Sequence, residues 1–243
     1  MNRYSVSVDI NRVIIYGRST AGKTDTVARK PAQNRIKTQR RALPREVRRQ
    51  QLIRATMQCI ATHGLSGVTM ARVTSTAGLS LGIANLHFKS KDKLLLATLK
   101  YVTEEYNQGQ SGILADSSYA SINDKIDALL AFDFSDLIME KAKLAVWFAF
   151  LGEAKSRPTY QKICGRMDNR AESLLTQLFQ QAIDDGGYKD IEASVLAAGY
   201  ISLVDGLWLN ALLTPRRLSR KKVRATARQY LASALPQHVN RGT

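Results

Sequence analysis

The segment from Thr69 to Phe88 carries the side chains best suited to chemistry on a polyanion. It reads as a short helix, the turn residue Gly78, and a second short helix. A small residue permits the tight turn of a helix-turn-helix, and Gly82 with Ala84 keeps the second helix thin enough for a major groove. The Asn85 amide can bond a base edge or a phosphate. The spacing predicts DNA recognition, and an ordinary packed helical hairpin is the alternative.

A second pattern lies upstream, where residues 17–24 read GRSTAGKT and fit the phosphate-binding pattern G-x4-G-K-[ST]. In such a loop the backbone N–H groups cradle phosphates, the lysine reaches the β and γ phosphates, and the hydroxyl binds Mg²⁺. The preceding VIIY could form a strand, but Pro31 follows within seven residues of Thr24, and no later apolar strand ends in Asp. A nucleotide hydrolase using residues 17–24 is therefore kept only as an alternative of another class.

No other residues form a catalytic or metal-binding pattern. The three histidines, His63, His87 and His238, have no acidic or cysteine partner at metal-ligand spacing, and no serine lies in a G-x-S-x-G turn. Cys59 and Cys164 are 105 positions apart without a CxxC motif, which argues against a disulfide scaffold. We expect a protein that is not an enzyme, holds no metal and needs no cofactor.

The elements that would position these residues are helices throughout. Apolar residues recur at helical spacing from Arg45 to His63, Thr69 and Ser80 can cap the next two helices, and a longer helix begins near Leu94. Further helices are predicted roughly over residues 122–139, 141–155, 158–185, 190–213 and 219–235. No stretch gives convincing strand alternation, so the predicted fold class is all-α.

The charge distribution indicates how the chain is organised. The net charge of +16 comes from 18 basic and 4 acidic residues in 1–93, 10 and 16 in 94–214, and 8 and none in 215–243. A basic N-terminal part predicts a polyanionic partner, and the helix-turn-helix spacing makes double-stranded DNA the expected one. The neutral to acidic middle predicts a different task. We predict a basic flexible tail over 1–44, a helix-turn-helix domain over 45–93, and a helical domain over 94–243.

The most apolar stretch, residues 191–213, is predicted to be a buried helix. A membrane partner is not expected, because Glu192 and Asp205 would be costly inside a bilayer, and without a leader pattern we expect a cytoplasmic protein. The helices over 190–213 and 219–235 carry more apolar surface than one core can bury. They therefore predict a homodimer.

The helix-turn-helix segment resembles the TetR family of bacterial transcription regulators. The resemblance rests on TxxxVxxxAGLSxGI, from Thr69 to Ile83, and on HFKSKxxL, from His87 to Leu94. It implies that Thr69 and Lys91 contact phosphates, with Arg72 and Lys89 as further contacts, and that four residues face the groove: Ser80, Leu81, Gly82 and Asn85. His87 stands where the family commonly has a phosphate-binding tyrosine, and a ring N–H can take that role. N-capping alone is the alternative for Thr69 and Ser80, and a solvated charge for Arg72.

The downstream half is similar to the BetI-type branch of that family, whose members regulate choline and glycine betaine metabolism. The resemblance covers roughly residues 45–236 and rests on AFDF from Ala131, AVWFAF from Ala145, RPTY from Arg157 and LVDGLWLNALL from Leu203. It implies a repressor that binds double-stranded operator DNA and that a choline-like or betaine-aldehyde-like molecule releases from it. It also implies that the helical domain over 94–243 binds this effector and forms the dimer.

A pocket for such a cation needs aromatic rings and a carboxylate, because a quaternary ammonium ion cannot donate hydrogen bonds. Aromatic and acidic side chains at helical spacing predict the residues of this pocket: Phe132, Trp147, Phe150, Glu153, Asp205 and Trp208. Phe148 is a further aromatic residue next to Trp147. Two alternatives stay open. The rings can be plain core, or, because Leu151 stands where the branch usually has another aromatic, the small-molecule effector can be neutral or larger and apolar.

Overall fold

The computed structural model describes residues 6–9, 12–15 and 44–240, and the chain divides into two units, Met1–Ala42 and Leu43–Thr243. In the first unit, strands β1 (Val6–Asp9) and β2 (Arg12–Ile15) pair antiparallel, with Val6 opposite Ile15 and Val8 opposite Val13. The β-branched residues explain the pairing, which corrects the expectation of a tail without strands. The phosphate-loop pattern of residues 17–24 lies outside the described residues.

Residues 44–240 form helices joined by turns, as the predicted all-α fold class requires. The helices are α1 (Arg45–His63), α2 (Met70–Ala77), α3 (Leu81–His87), α4 (Lys91–Ala115), α5 (Ile122–Asp133), α6 (Lys141–Glu153), α7 (Pro158–Gly186), α8 (Ala193–Leu213) and α9 (Arg220–Ala234). A 3₁₀ turn, Ala154–Ser156, joins α6 to α7. One apolar core runs from Leu52 on α1 to Val239 beyond α9.

Local side-chain chemistry fixes the ends of the short helices. The Thr69 hydroxyl accepts a hydrogen bond from the N–H of Arg72 at 3.1 Å, and the Ser80 hydroxyl accepts one from Ile83 at 3.3 Å. Gly78 ends α2 with φ 64°, a left-handed conformation that glycine adopts without strain. The predicted caps and turn are therefore confirmed.

Three helix ends differ from the prediction by three residues or more. Helix α4 begins at Lys91, earlier than the predicted Leu94, because the Ser90 hydroxyl caps it by accepting from the N–H of Lys93 at 3.2 Å. Helix α5 ends at Asp133 instead of residue 139, and the Ser135 hydroxyl accepts from Ile138 in the turn that follows. Helix α8 begins at Ala193 instead of residue 190.

Helix α8 is long and apolar enough to cross a membrane by length and composition. It packs instead against α6, α7 and α9, and the Trp208 indole N–H donates to the backbone carbonyl of Asp133 at 2.9 Å. Gly199 allows the Tyr230 ring of α9 to lie against the α8 backbone, where any side chain would collide with the Tyr230 hydroxyl. The interpretation as a packed helix of this fold follows from these contacts.

Candidate DNA-binding and effector sites

The predicted DNA-contacting residues lie on one exposed surface around α2 and α3. Thr69, Arg72, Ser80, Leu81, Gly82, Asn85 and Lys89 are exposed, while His87 and Lys91 are partly buried. Ala84, on the opposite side of α3, is buried against the core. The apolar side of α3 therefore holds the helix in place and leaves the Asn85 side open to a ligand.

The capping hydroxyls of this surface keep a hydrogen to donate. Thr69 and Ser80 each use an oxygen lone pair to accept the capping bond, and the hydroxyl hydrogen remains for a phosphate oxygen. Capping and phosphate contact are thus compatible at both residues. The Arg72 guanidinium donates to the carbonyl of Gly67, so Arg72 is held against the turn that precedes α2.

His87 lies beside basic side chains from the start of α1. Burial, followed by the positive charges of Arg45 and Arg48, lowers the pKa of His87. A neutral imidazole carries one ring N–H, which is enough to donate to a phosphate. Arg49 also stacks over the Phe88 ring, 5.6 Å from its centroid, and this contact joins α1 to the end of α3.

The sequence reasoning missed Arg45, Arg48 and Leu86 on this surface. Arg45 and Arg48 belong to the N-terminal charge excess, but only the fold brings them close to His87. Leu86 is 71% exposed and neighbours Asn85 on α3. The sequence did contain a signal for Leu86, because it directly follows the predicted groove-facing residue Asn85 on a helix of only two turns.

Two small cavities lie between the long helices. The first, about 20 Å³, is lined by residues of α4, α7 and α8: Tyr106, Met167, Ala171, Leu175, Tyr200, Ile201, Val204, Asp205 and Trp208. The second, about 30 Å³, is lined by α4, α6, α7, α8 and the α5–α6 turn: Val102, Glu105, Tyr106, Ile138, Lys143, Leu144, Trp147, Met167 and Trp208. Tyr106, Met167 and Trp208 belong to both linings. Each cavity has the room of about one water molecule.

The aromatic walls are held in place by one another and by carboxylates. Tyr106 packs edge-on to Trp208 with ring centroids 5.5 Å apart. The Trp147 indole N–H donates to Asp205 at 3.4 Å, which is a long hydrogen bond. Lys143 pairs with Glu105 and donates to the carbonyl of Leu137 at 2.9 Å.

Directly behind the first cavity lies Asp133, whose side chain is fully buried. Its two oxygens accept hydrogen bonds from Tyr106 at 2.9 Å and from Tyr200 at 2.7 Å. The pKa of Asp133 is raised to about 7, mainly by burial; the two tyrosine hydrogen bonds act in the opposite direction, and the charge of Asp205 adds a smaller increase. Burial and the neighbouring Asp133 raise the pKa of both tyrosines as well, so both hydroxyls keep their hydrogens.

Of the six predicted pocket residues, the structure brings Trp147, Asp205 and Trp208 to the cavities and leaves three elsewhere. Glu153 ends α6 at the surface, where it pairs with Arg157 at 3.4 Å. Phe150 is buried against Tyr160 with ring centroids 4.7 Å apart. Phe132 stacks behind Tyr106, and its ring fills the space beside Gly109 where any side chain would collide.

None of these three residues lines a cavity as predicted. Glu153 lies at the surface, Phe150 lies in the core, and Phe132 supports the cavity wall from behind Tyr106. Leu151, which stands where the BetI-type branch usually has an aromatic residue, is 37% exposed and does not line either cavity. Phe148 is partly buried against the core. The residues that sequence reasoning missed are Tyr106, Asp133, Met167 and Tyr200.

An exposed apolar stripe follows one side of α8. Val195 is 63%, Leu209 38% and Leu213 67% exposed, and the small residues Ala198 and Ser202 lie exposed between the first two. Leu207, by contrast, is buried at 8% exposure. A charge introduced at position 207 would therefore disturb folding. A test of association has to introduce the charge at an exposed residue of the stripe.

Comparison with known proteins gives two family matches. The family model described as bacterial regulatory proteins, tetR family, matches residues 52–98. The model described as BetI-type transcriptional repressor, C-terminal, matches residues 123–236. The first match contains α2 and α3, and the second contains Asp133, Trp147, Asp205 and Trp208.

Individual relatives agree with these matches. The HTH-type transcriptional regulator BetI of Burkholderia mallei (strain NCTC 10229) is 31% identical over 80% of this chain and 97% of its own length. The regulator of the same name from Escherichia coli (strain K12) is 26% identical over 78% and 95%.

Among solved structures, a putative transcriptional regulator from Pseudomonas aeruginosa PAO1 has a TM-score of 0.69 at 25% identity, over 81% of this chain and 94% of its own. A putative regulator from Saccharomonospora viridis, solved in complex with choline, has a TM-score of 0.67 at 20% identity, over 76% and 96%. The second likeness shows the fold alone.

Proposed function

The chain belongs to the TetR family of bacterial transcription regulators and carries a BetI-type C-terminal domain, and from this premise we propose that it is a homodimeric repressor whose effector is a quaternary ammonium ion. In this proposal residues 45–93 bind operator DNA, and residues 94–243 bind the effector and form the dimer. Choline and betaine aldehyde are the candidate effectors.

The observation that carries the proposal is the meeting of Trp147, Trp208, Tyr106 and Asp205 at the two cavities. Aromatic faces attract a cation that has no hydrogen to donate, and a carboxylate adds charge. A regulator of the same fold has been solved in complex with choline, and the proposal assigns the same class of effector to this chain.

Helix α4 provides a route from effector to DNA. Its first residue is the phosphate-contact candidate Lys91, and its residues Val102, Glu105 and Tyr106 line the second cavity. A quaternary ammonium ion needs more room than one water molecule. In this proposal it displaces the shared wall of Tyr106, Met167 and Trp208, and α4 carries this displacement to the DNA-binding helices.

Choline and betaine aldehyde are expected to release the protein from its operator, to quench tryptophan fluorescence saturably, and to raise the melting temperature. The matched control is 3,3-dimethylbutanol, which has the shape of choline without its charge. Calorimetry should give a stronger interaction for choline than for this isostere. Equal affinities for choline and the isostere would mean that the site does not recognise the charge of choline. No binding by any of the three compounds would refute the effector class.

The DNA-binding surface is tested by two substitutions with different expected signatures. Asn85→Ala should weaken operator binding by about 1–3 kcal/mol and leave random DNA unaffected, because the amide is proposed to read a base. Lys91→Ala should weaken both DNAs and reduce the slope of log K against log salt by about 0.9. Fluorescence anisotropy at several salt concentrations measures both effects. Equal losses on both DNAs for Asn85→Ala would contradict its base-reading role.

A further inference from the structure

Asp133 is a buried carboxylate that the predicted pocket did not include. It ends α5, and three cavity-lining residues of two other helices converge on it: Tyr106 and Tyr200 donate to its carboxylate, and Trp208 donates to its backbone carbonyl. Because these three side chains line the first cavity, one layer of aromatic rings separates the carboxylate from that cavity. Any ion that enters there is a near neighbour of Asp133.

The surroundings of Asp133 hold little positive charge to balance it. Helix α4 presents Tyr106, and α8 presents Tyr200 and Asp205. Three basic groups of neighbouring elements have acidic partners: Arg228 of α9 pairs with Asp127 at 2.6 Å, Arg220 pairs with Asp136, and Lys143 of α6 pairs with Glu105. Two others bond neutral groups: Lys125 of α5 donates to the Leu114 carbonyl, and Arg170 of α7 donates to the Ser111 hydroxyl. Among residues 44–240, no ion pair includes Asp133.

The hydrogen-bond chain around Asp133 can accommodate both protonation states. When the carboxyl is ionised, both tyrosines donate to it, and the Gln110 amide N–H lies 3.4 Å from the Tyr106 hydroxyl. When the carboxyl carries a proton, it can donate to Tyr106, and the Tyr106 hydrogen can turn to the amide oxygen of a rotated Gln110. Gln110 is fully buried, and its amide oxygen has no hydrogen-bond partner among the described residues. This amide is therefore available for the reversal.

We infer that Asp133 responds to the charge of the effector. Its carboxyl holds a proton in the ligand-free protein and releases it when a quaternary ammonium ion binds in the neighbouring cavity. The inference rests on the proposed function, since it deepens the same site. The bond that breaks is the carboxyl O–H of Asp133, and its proton passes to solvent. The two tyrosines keep their hydrogens and donate both to the new carboxylate, which faces the cation through the ring wall.

Proton release makes choline binding dependent on pH and on the buffer. Because burial raises the pKa of Asp133 to about 7, choline affinity should increase about tenfold from pH 6 to pH 8 and then level off. Calorimetry at pH 6 in buffers with different ionisation enthalpies counts the protons, and close to one proton should leave per choline bound. At pH 8.5 the count should approach zero.

Asp133→Asn is the decisive variant, because the amide can still bond both tyrosines while it carries no charge. Its choline affinity at pH 8 should fall at least tenfold, without proton release or pH dependence, while its affinity for 3,3-dimethylbutanol stays the same. Glu153→Gln, on the surface, is the matched control and should behave as the wild type. Asp205→Asn should bind choline more weakly but still release the proton.

A ligand-free measurement tests the same carboxyl. The folded pKa of Asp133 lies above its value in the unfolded chain, so its stabilisation is complete below about pH 4 and is lost as the pH rises through about 7. The melting temperature of Asp133→Asn should therefore gain on that of the wild type between pH 5 and pH 8. An unchanged difference across this range would refute the protonated carboxyl.

The outcomes separate the two proposals. If choline binds and releases DNA but no proton leaves, or if Asp133→Asn still releases one, the role of Asp133 is wrong and the effector class stands. If neither choline nor betaine aldehyde binds the wild type, the effector class is wrong and the role of Asp133 falls with it.

Discussion

Leu209→Glu is expected to separate the proposed homodimer into monomers and to lower operator affinity by about 10²- to 10⁴-fold. Leu209 lies in the exposed apolar stripe of α8 with Val195 and Leu213. A two-fold axis at this stripe would bring the substituted residue of both protomers into the interface. Burying two unpaired carboxylates there is costly. A monomer binds only one half-site, so it loses the gain in affinity that comes from linking two DNA-binding heads.

Leu151→Glu provides a closely matched control. Leu151 is 37% exposed and Leu209 is 38% exposed, so the two substitutions change the surface of the monomer alike. Sedimentation at micromolar concentration should show a monomer for Leu209→Glu and a dimer for Leu151→Glu and the wild type. A monomeric wild type that binds its operator tightly would contradict the dimer.

The helix-turn-helix could be predicted closely because short-range chemistry determines it. Thr69, Gly78 and Ser80 act on backbone groups no more than four residues away, so sequence spacing alone identifies their roles. The end of α5 could not be predicted in this way. The apolar pattern continues past Asp133, but the helix stops where this carboxylate meets Tyr106 and Tyr200, which are 27 and 67 positions away.

The effector site shows the same division between local and distant information. Asp205 and Trp208 are three positions apart on α8, so they share a face, and both line the first cavity. Trp147 and Glu153 are six positions apart, which places them about 120° apart around the helix axis. Glu153 is close to Trp147 in sequence, but the helix directs its carboxylate to a different side.

A signal for Asp133 was nevertheless present in the sequence. Ile126, Leu129 and Leu130 are buried on α5, and Asp133 continues that stripe at i+7 from Ile126. A carboxylate on a buried stripe is rare unless it has partners. The spacing could have singled out Asp133 as a functional candidate, although it could not have identified the tyrosines that bind it.

Trp208→Leu and Trp208→Phe are expected to differ in the response to cations although both lose the same hydrogen bond. Each removes the indole N–H that donates to the Asp133 carbonyl, so each should destabilise the fold by about 1–3 kcal/mol for the unsatisfied carbonyl. The phenylalanine keeps an aromatic face at the wall shared by both cavities, and the leucine does not. The difference between the two variants therefore isolates the ring.

We expect Trp208→Leu to lose choline-dependent release from DNA, with choline affinity reduced by about tenfold or more, because a desolvated cation–π contact contributes about 2 kcal/mol. Trp208→Phe should keep the response with a smaller loss of affinity. The control ligand is 3,3-dimethylbutanol, whose binding should fall equally in both variants because it has no charge for the ring to attract. If choline follows the neutral compound in both variants, then Trp208 contributes apolar contact alone, and the carboxylates Asp133 and Asp205 remain as the groups that attract the cation.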